Sequence, residues 1–302
     1  MTGFALVGCG RIAPKHADLL HKGEVKDSKL IAVCDIKPER AKAFGEKYGV
    51  PHFTDFEAMM AAQGKSIDVV SILTESGHHA AHAIAAAKHG KHVVVEKPMA
   101  LTLEDADAMI HACDSAGVKL FVVKQNRYNA PVQLLRKAFD QGRFGKIVMG
   151  TVRVRWCRTQ AYYDQDSWRG TWALDGGVFA NQASHHVDLL EWFLGEPVSV
   201  FAKSRRAVVE ATRPKDLEGS LSILGEIGSV EIAGFAVNEL KTWNFTEPKP
   251  EDADVLGKGK ELPPNVYGFG HKAYLNQVVE SLRTGKAGLV DGLEGRKSLE
   301  LI

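Results

Sequence analysis

Short, unbroken apolar runs recur through the first part of the chain, each ending in small or polar residues. Phe4-Ala5-Leu6-Val7, Leu30-Ile31-Ala32-Val33-Cys34, Ile67 to Leu73, Val93-Val94-Val95 and Leu120 to Val123 show little or no polar alternation. That is the pattern of strands buried on both faces of a parallel sheet. Helical segments fall between them. Arg40 to Tyr48 is one, Asp55 to Ala62 another with Thr54 or Asp55 as cap, and the alanine-rich Ala80 to Ala87 a third. Thr102 with an acid three residues on opens a fourth, whose apolar stripe is Ala106, Met109, Ile110 and Cys113. Strand and helix alternate at the spacing of βαβ units, which predicts a doubly wound sheet.

The pattern changes after Val123. Ile147 to Arg155 alternates as a half-buried strand, with Val148, Gly150, Val152 and Val154 on one face and Arg153 and Arg155 on the other. Val198 to Ser204, Leu221 to Ile227 and Val230 to Val237 read as further strands, Leu256 to Gly270 as a loop, and Asn181 to Leu194 and Lys272 to Leu282 as helices. The predicted class is therefore α/β. A Rossmann dinucleotide-binding domain spans 1–123, and an α+β domain with a largely antiparallel open sheet spans 124–302.

Composition narrows the partners. The 302 residues are 45% hydrophobic and 25% charged, as in ordinary globular proteins. Net charge is +1, from 38 basic and 37 acidic residues, which argues against nucleic acid or a membrane as partner. The amino terminus enters a strand at once rather than a secretion signal. The four cysteines, Cys9, Cys34, Cys113 and Cys157, form no CxxC pair; they predict neither a zinc site nor a disulfide framework and fit the reducing cytoplasm.

Candidate chemistry sits beyond the strand ends, where open α/β sheets bind ligands. Gly8-Cys9-Gly10-Arg11-Ile12-Ala13 follows the first strand and opens a helix. Gly8 permits the turn, Gly10 lets the backbone approach a pyrophosphate, and the helix N-terminus favours its charge. Asp35 ends the second strand, where it can accept both adenosine-ribose hydroxyls and repel a 2'-phosphate, favouring NAD. Lys37 and Arg40 lie nearby. Thr74 and Ser76 follow the next strand and read either as dinucleotide contacts or as helix caps. His79 and His82 share a helix face but have no third ligand, and no metal is expected. Glu96-Lys97-Pro98 ends the central strand, Lys97 being the natural acid or base and a plain salt bridge the alternative. Further on, Lys124 to Asn129 is densely polar, and Tyr162 to Trp172 is aromatic and polar together, as in a binding loop. Arg153 and Arg155 suit a diphosphate or carboxylate, with solvated surface charge as the alternative. His185, near a helix start, can deprotonate a substrate hydroxyl or simply pack.

Gly8-x-Gly10-x-x-Ala13, Glu96-Lys97-Pro98 and Gly176-Gly177 leading to His185-x-x-Asp188 resemble the Gfo/Idh/MocA oxidoreductase family over essentially the whole chain. The runs 124–129, 154–158, 162–172 and 181–186 look like its bacterial UDP-N-acetylglucosaminuronate 3-dehydrogenases of O-antigen biosynthesis. The resemblance implies oxidation at C3 of the UDP-sugar uronic acid with NAD as cofactor, and a pathway aminotransferase acting next. It implies Lys97 and His185 as the catalytic pair, His185 taking the proton and Lys97 holding the hydroxyl, with the reverse left open. By the same resemblance Gly8, Gly10, Arg11, Ile12, Asp35, Thr74, Ser76, His79, Glu96, Lys97, Gln125, Trp168 and Arg169 hold the cofactor. Arg127, Tyr128, Asn129, Arg155, Arg158, Tyr163, Asn181, Lys97 and His185 hold the substrate. Recycling of NADH by 2-oxoglutarate and a homotetramer are further implications.

Two departures stand out. Many family members have an aspartate where this chain has Asn181; a neutral amide cannot raise the basicity of a neighbouring base as a carboxylate can, so hydrogen bonding to substrate is the expected role. Val209 to Pro214 follows Arg205-Arg206 almost directly, so part of the usual sheet is either deleted or omitted from this sequence. The competing readings are a dehydrogenase of a free sugar or cyclitol and a non-catalytic NAD-binding sensor.

Overall fold

The computed structural model describes residues 1–204, 218–261 and 268–302. The segment from Val209 to Pro214 lies outside them. The chain groups into two compact units. The first comprises Met1–Lys124, Gly170–Asn181 and His271–Glu300, and the second comprises Gln125–Arg169, Gln182–Gly270 and Leu301–Ile302.

In the first unit the apolar runs become strands as their pattern dictates. β1 (Thr2–Val7), α1 (Ala13–His21), β2 (Ser28–Cys34), α2 (Pro38–Tyr48), β3 (His52–Phe53), α3 (Phe56–Gln63), β4 (Val69–Ile72), α4 (His79–Lys88), β5 (His92–Val95), α5 (Leu103–Ser115) and β6 (Leu120–Val122) follow in order. The sheet order is β3-β2-β1-β4-β5-β6, with every pairing parallel. This is the Rossmann order, reversing between β1 and β4. The predicted caps are present: Asp55 accepts from the Ala58 N–H at 2.7 Å, and Thr102 Oγ1 from Asp105 at 3.1 Å. Val93, Val94 and Val95 are fully buried, which is why their strand carries no polar position.

The second unit begins with α6 (Ala130–Asp140), β7 (Ile147–Arg155), the one-turn α7 (Gln160–Tyr163) and α8 (Ser184–Leu194), the last preceded by a π turn at Phe179–Ala183. Then come β8 (Glu218–Gly225), β9 (Gly228–Ala233), β10 (Glu239–Phe245) and α9 (Val255–Lys258). The four strands pair antiparallel in the order β10-β9-β8-β7. Gly150 of β7 lets α8 close in, since a Cβ there would lie 2.9 Å from Leu194. Finally α10 (Gly270–Thr284), from His271 onward, and α11 (Gly292–Glu300) return to the first unit. Asp291 makes a bridge to Phe121 of β6, and Gly295 of α11 approaches so closely that a Cβ would lie 2.9 Å from Met99.

The differences from the sequence reading have physical causes. Val198 to Ser204 is not a strand: Val198 and Phe201 are exposed, at 103% and 92%, so apolar character there reports no burial. Val148 faces solvent because the ladder shifts register between Ile147 and Met149. Residues 255–258, partly assigned to a loop, form α9, while β10 and α11 were not foreseen.

Candidate functional site

In the first unit the dinucleotide residues gather at the carboxyl ends of β1, β2 and β4. Gly8 has φ +98°, and its N–H donates to Cys34 O at 2.8 Å. A Cβ there would lie 2.7 Å from the Leu73 carbonyl, so only glycine lets β1 turn beside β4. At Gly10 a Cβ would meet nothing within 4 Å. The space beside the turn is open, as the approach of a pyrophosphate to the backbone requires. Arg11 and Ile12 follow, exposed and half-buried; α1 starts without an acidic residue in its first turn, so no carboxylate there opposes an anion at the positive end of the helix dipole. Asp35 accepts from Cys9 N at 2.7 Å and from Lys37 N at 2.8 Å, which fixes its carboxylate while each oxygen keeps a lone pair for a ribose hydroxyl. These features fit a dinucleotide.

Thr74 is half-buried and Ser76 buried in the turn after β4. His79 is 1% exposed and faces two carbonyls, Pro98 O from Nδ1 at 2.8 Å and Thr74 O from Nε2 at 3.1 Å. The ring lies between the turns after β4 and β5, and in its neutral form it donates to one of these two carbonyls.

Beyond β5, the Lys97-Pro98 peptide is cis. Half-buried Lys97 donates from Nζ to the backbone carbonyl of Asn181 at 2.6 Å. The Asn181 side-chain amide donates to Asp175, whose other oxygen accepts Gly170 N at 2.6 Å. Asn181 thus meets Lys97 through its main chain. Gly176 and Gly177 supply the φ of +76° and +85° that carry the chain from Asp175 into this contact. Glu96, 7% exposed, accepts from His16 Nε2 at 3.0 Å and lies 3.6 Å from His271 Nε2. Neither histidine was singled out in the sequence. They lie 80 and 175 residues from Glu96, on α1 and α10, so no local spacing announces them.

In the second unit His185 opens α8, 6% exposed. Its Nε2 lies 3.0 Å from the side-chain amide of Gln125, the residue expected at the cofactor. Arg127, expected at the substrate, is fully buried. Its Nε and Nη2 donate to Asp188 at 2.9 and 2.8 Å, and its guanidinium stacks 4.8 Å over Trp192. Asn129, 1% exposed, donates to Ala236 O at 3.1 Å. A polar run that looks available along the chain is here hydrogen-bonded to buried partners. Burial pushes the half-buried Tyr128 phenol well above its usual range.

The loop residues, except the buried Arg169 side chain, remain nearer solvent. Arg155 and Arg153 both pair with Glu218. Arg158 stacks on Trp156 and Tyr162, each at 5.4 Å. Tyr163 is exposed and edge-on to Tyr162. Arg169 lies 4.5 Å over both Tyr162 and Trp168 and pairs with Asp166 at 3.7 Å. The aromatic loop therefore orders itself around its own cations.

Comparisons with known proteins agree with this arrangement. Residues 2–124 match the oxidoreductase family with an NAD-binding Rossmann fold, and 132–247 the GFO/IDH/MocA C-terminal domain. The WlbA dehydrogenase of Bordetella pertussis, solved with NADH and UDP-GlcNAcA, is 43% identical at a TM-score of 0.88, over 99% of this chain and 93% of that one. The WlbA dehydrogenase of Chromobacterium violaceum, solved with the same ligands, is 42% identical at a TM-score of 0.87, over 99% and 91%. D-apiose dehydrogenase of Paraburkholderia graminis is 35% identical over 153 residues, spanning 50% of this chain but only 40% of that protein. Sequence, fold and the glycine turn together place the chain in the Gfo/Idh/MocA family of NAD-dependent oxidoreductases.

Proposed function

We propose that this chain oxidises the C3 hydroxyl of UDP-N-acetylglucosaminuronic acid to the 3-keto sugar. The observation that carries the reading is full-length identity of 43% to a dehydrogenase whose solved structure holds NADH and UDP-GlcNAcA. Bound NAD supplies the two-electron acceptor for the hydrogen at C3.

The chain's own residues supply the proton chemistry. His185, fixed by Gln125, takes the hydroxyl proton as general base. Lys97 is preset by its bond to Asn181 O; its ammonium holds the hydroxyl and then the developing ketone oxygen, where positive charge favours the product. The Asp35 carboxylate selects NAD over its 2'-phosphorylated form by repulsion. Arg155, Arg158 and Tyr163 are assigned to the charged, planar parts of the nucleotide sugar, Arg155 by exchanging its exposed pairing with Glu218.

The same reading extends to the setting. The chain works in the cytoplasm, consistent with four free cysteines; among the described residues no helix is long and apolar enough to cross a membrane. It assembles as a homotetramer through a sheet face on which Met149 of β7 and Leu224 of β8 form an exposed apolar pair. An aminotransferase consumes the ketone, and 2-oxoglutarate reoxidises the reduced cofactor.

Regiochemistry is the direct test. Product trapped with borodeuteride should carry deuterium at C3 of the recovered sugar. Deuterium at another carbon, or recovery of unlabelled sugar from an active preparation, would refute the assignment.

A further inference from the structure

The buried trio of His16, Glu96 and His271 is not used by the chemistry above, yet it lies directly against it. All three belong to the first unit. Both histidines are fully buried, their rings edge-on with centroids 5.5 Å apart, and both approach the same oxygen of Glu96, at 3.0 and 3.6 Å. The other Glu96 oxygen accepts the backbone N–H of Lys97 at 3.2 Å. On the far side of Lys97, the Pro98 carbonyl is held by His79.

Burial alone would raise the Glu96 carboxyl, but the His16 hydrogen bond at 3.0 Å and the His271 imidazole 3.6 Å away hold it well below the usual carboxylate range. It is therefore an anion inside the fold, stabilised by two side chains from helices far apart in sequence. Apolar packing would fill the same volume without the cost of burying a charge. What the anion uniquely provides is a fixed acceptor for the first peptide N–H of the turn that carries Lys97.

We propose that His16 and His271 are positioning residues of the hydride-transfer reaction: they clamp Glu96, Glu96 clamps the Lys97 main chain, and the Lys97 ammonium is thereby aimed. This rests on the reading of Lys97 as a reacting-site cation. Neither histidine touches the reacting atoms, so their removal should lower turnover while binding is kept.

The test compares wild type with His16→Leu, His271→Leu and His16→Gln, the last keeping a side-chain N–H donor. Two readouts are needed. Steady-state kinetics with the UDP-sugar should show kcat down about 10²-fold in the leucine variants, of the order expected for a misplaced catalytic group, with KM little changed and partial rescue in His16→Gln. Competitive acetylation of Lys97, followed by mass spectrometry across the alkaline range, needs no substrate. It should show a shifted Lys97 titration in the leucine variants and a near-normal one in His16→Gln. Wild type inactive on the UDP-sugar would count against the substrate reading alone, and the acetylation arm would still decide the clamp. An unchanged Lys97 titration overturns the proposal. So does one equivalent of tightly bound zinc or iron that is lost in the leucine variants, which would make the trio a metal site.

Discussion

Arg127 shows how far a residue type can mislead on its own. Its fork suits a diphosphate, but it is fully buried and engages both oxygens of Asp188. Removing Asp188 leaves the buried guanidinium with Glu191 at 4.0 Å and without its two close hydrogen bonds. Asp188→Leu should therefore cost about 3–5 kcal/mol in denaturant unfolding. A loss of under about 1 kcal/mol would show the surface-pair behaviour this geometry rules out. Lys97 and His185 are expected to behave differently. Lys97→Met and His185→Asn should retain NAD binding while kcat falls by roughly 10²–10⁴; retained turnover in either variant would remove that residue from the catalytic pair. The thiols make a third residue-level prediction. Burial, with Asp35 nearby, pushes Cys9 up to about 12, and burial pushes Cys34 and Cys113 up to about 11. A thiol reagent on the native protein should modify half-buried Cys157 first, and peptide mapping would check the order.

At the scale of elements, the glycine turn and Asp35 act as one device, since Asp35 accepts the amide of Cys9 between the two glycines. Asp35→Ser should weaken NAD by roughly tenfold or more, the worth of charge-assisted hydrogen bonds, and narrow its advantage over NADP in paired titrations. An unaltered ratio of the two affinities would contradict the assigned role. This device was legible in the sequence because every part of it is local: an apolar strand, two glycines at fixed spacing, and an acid at the next buried strand's end. β10 was less legible, because Lys241, Thr242 and Asn244 break the apolar pattern along the edge strand of the sheet, beside β9. α11 has few large apolar residues, and its buried Gly292, Gly295 and Ser298 pack by being small, which no hydrophobic count detects. The polar run at 124–129 reversed its apparent meaning for the same reason: its partners Asp188, Ala236 and His185 lie more than fifty residues away.

For the molecule as a whole, the buried His79 and His271 and the half-buried His82 and His92 weaken the fold in acid. His79, His82, His92 and His271 are each lowered from the ordinary 6.5 chiefly by burial. Below that value the unfolded chain takes up protons that the folded state does not. Stability present above about pH 6.5 is therefore lost as pH falls towards the depressed folded values, by about 1.4 kcal/mol per pH unit for each such proton. Melting temperatures should drop steadily through the mildly acidic range, and His92→Gln should flatten that slope. A melting temperature flat to well below pH 6 would refute the burial argument.

The central claim is that this NAD-dependent oxidoreductase acts on a nucleotide sugar, and absorbance at 340 nm tests it most directly. Purified protein with NAD should gain NADH absorbance on addition of UDP-N-acetylglucosaminuronic acid, and lose it when 2-oxoglutarate follows. A free sugar or cyclitol should give no such signal. Turnover of the free polyol with silence towards the UDP-sugar would contradict the account, and silence towards both in a protein that binds NAD would favour a sensor.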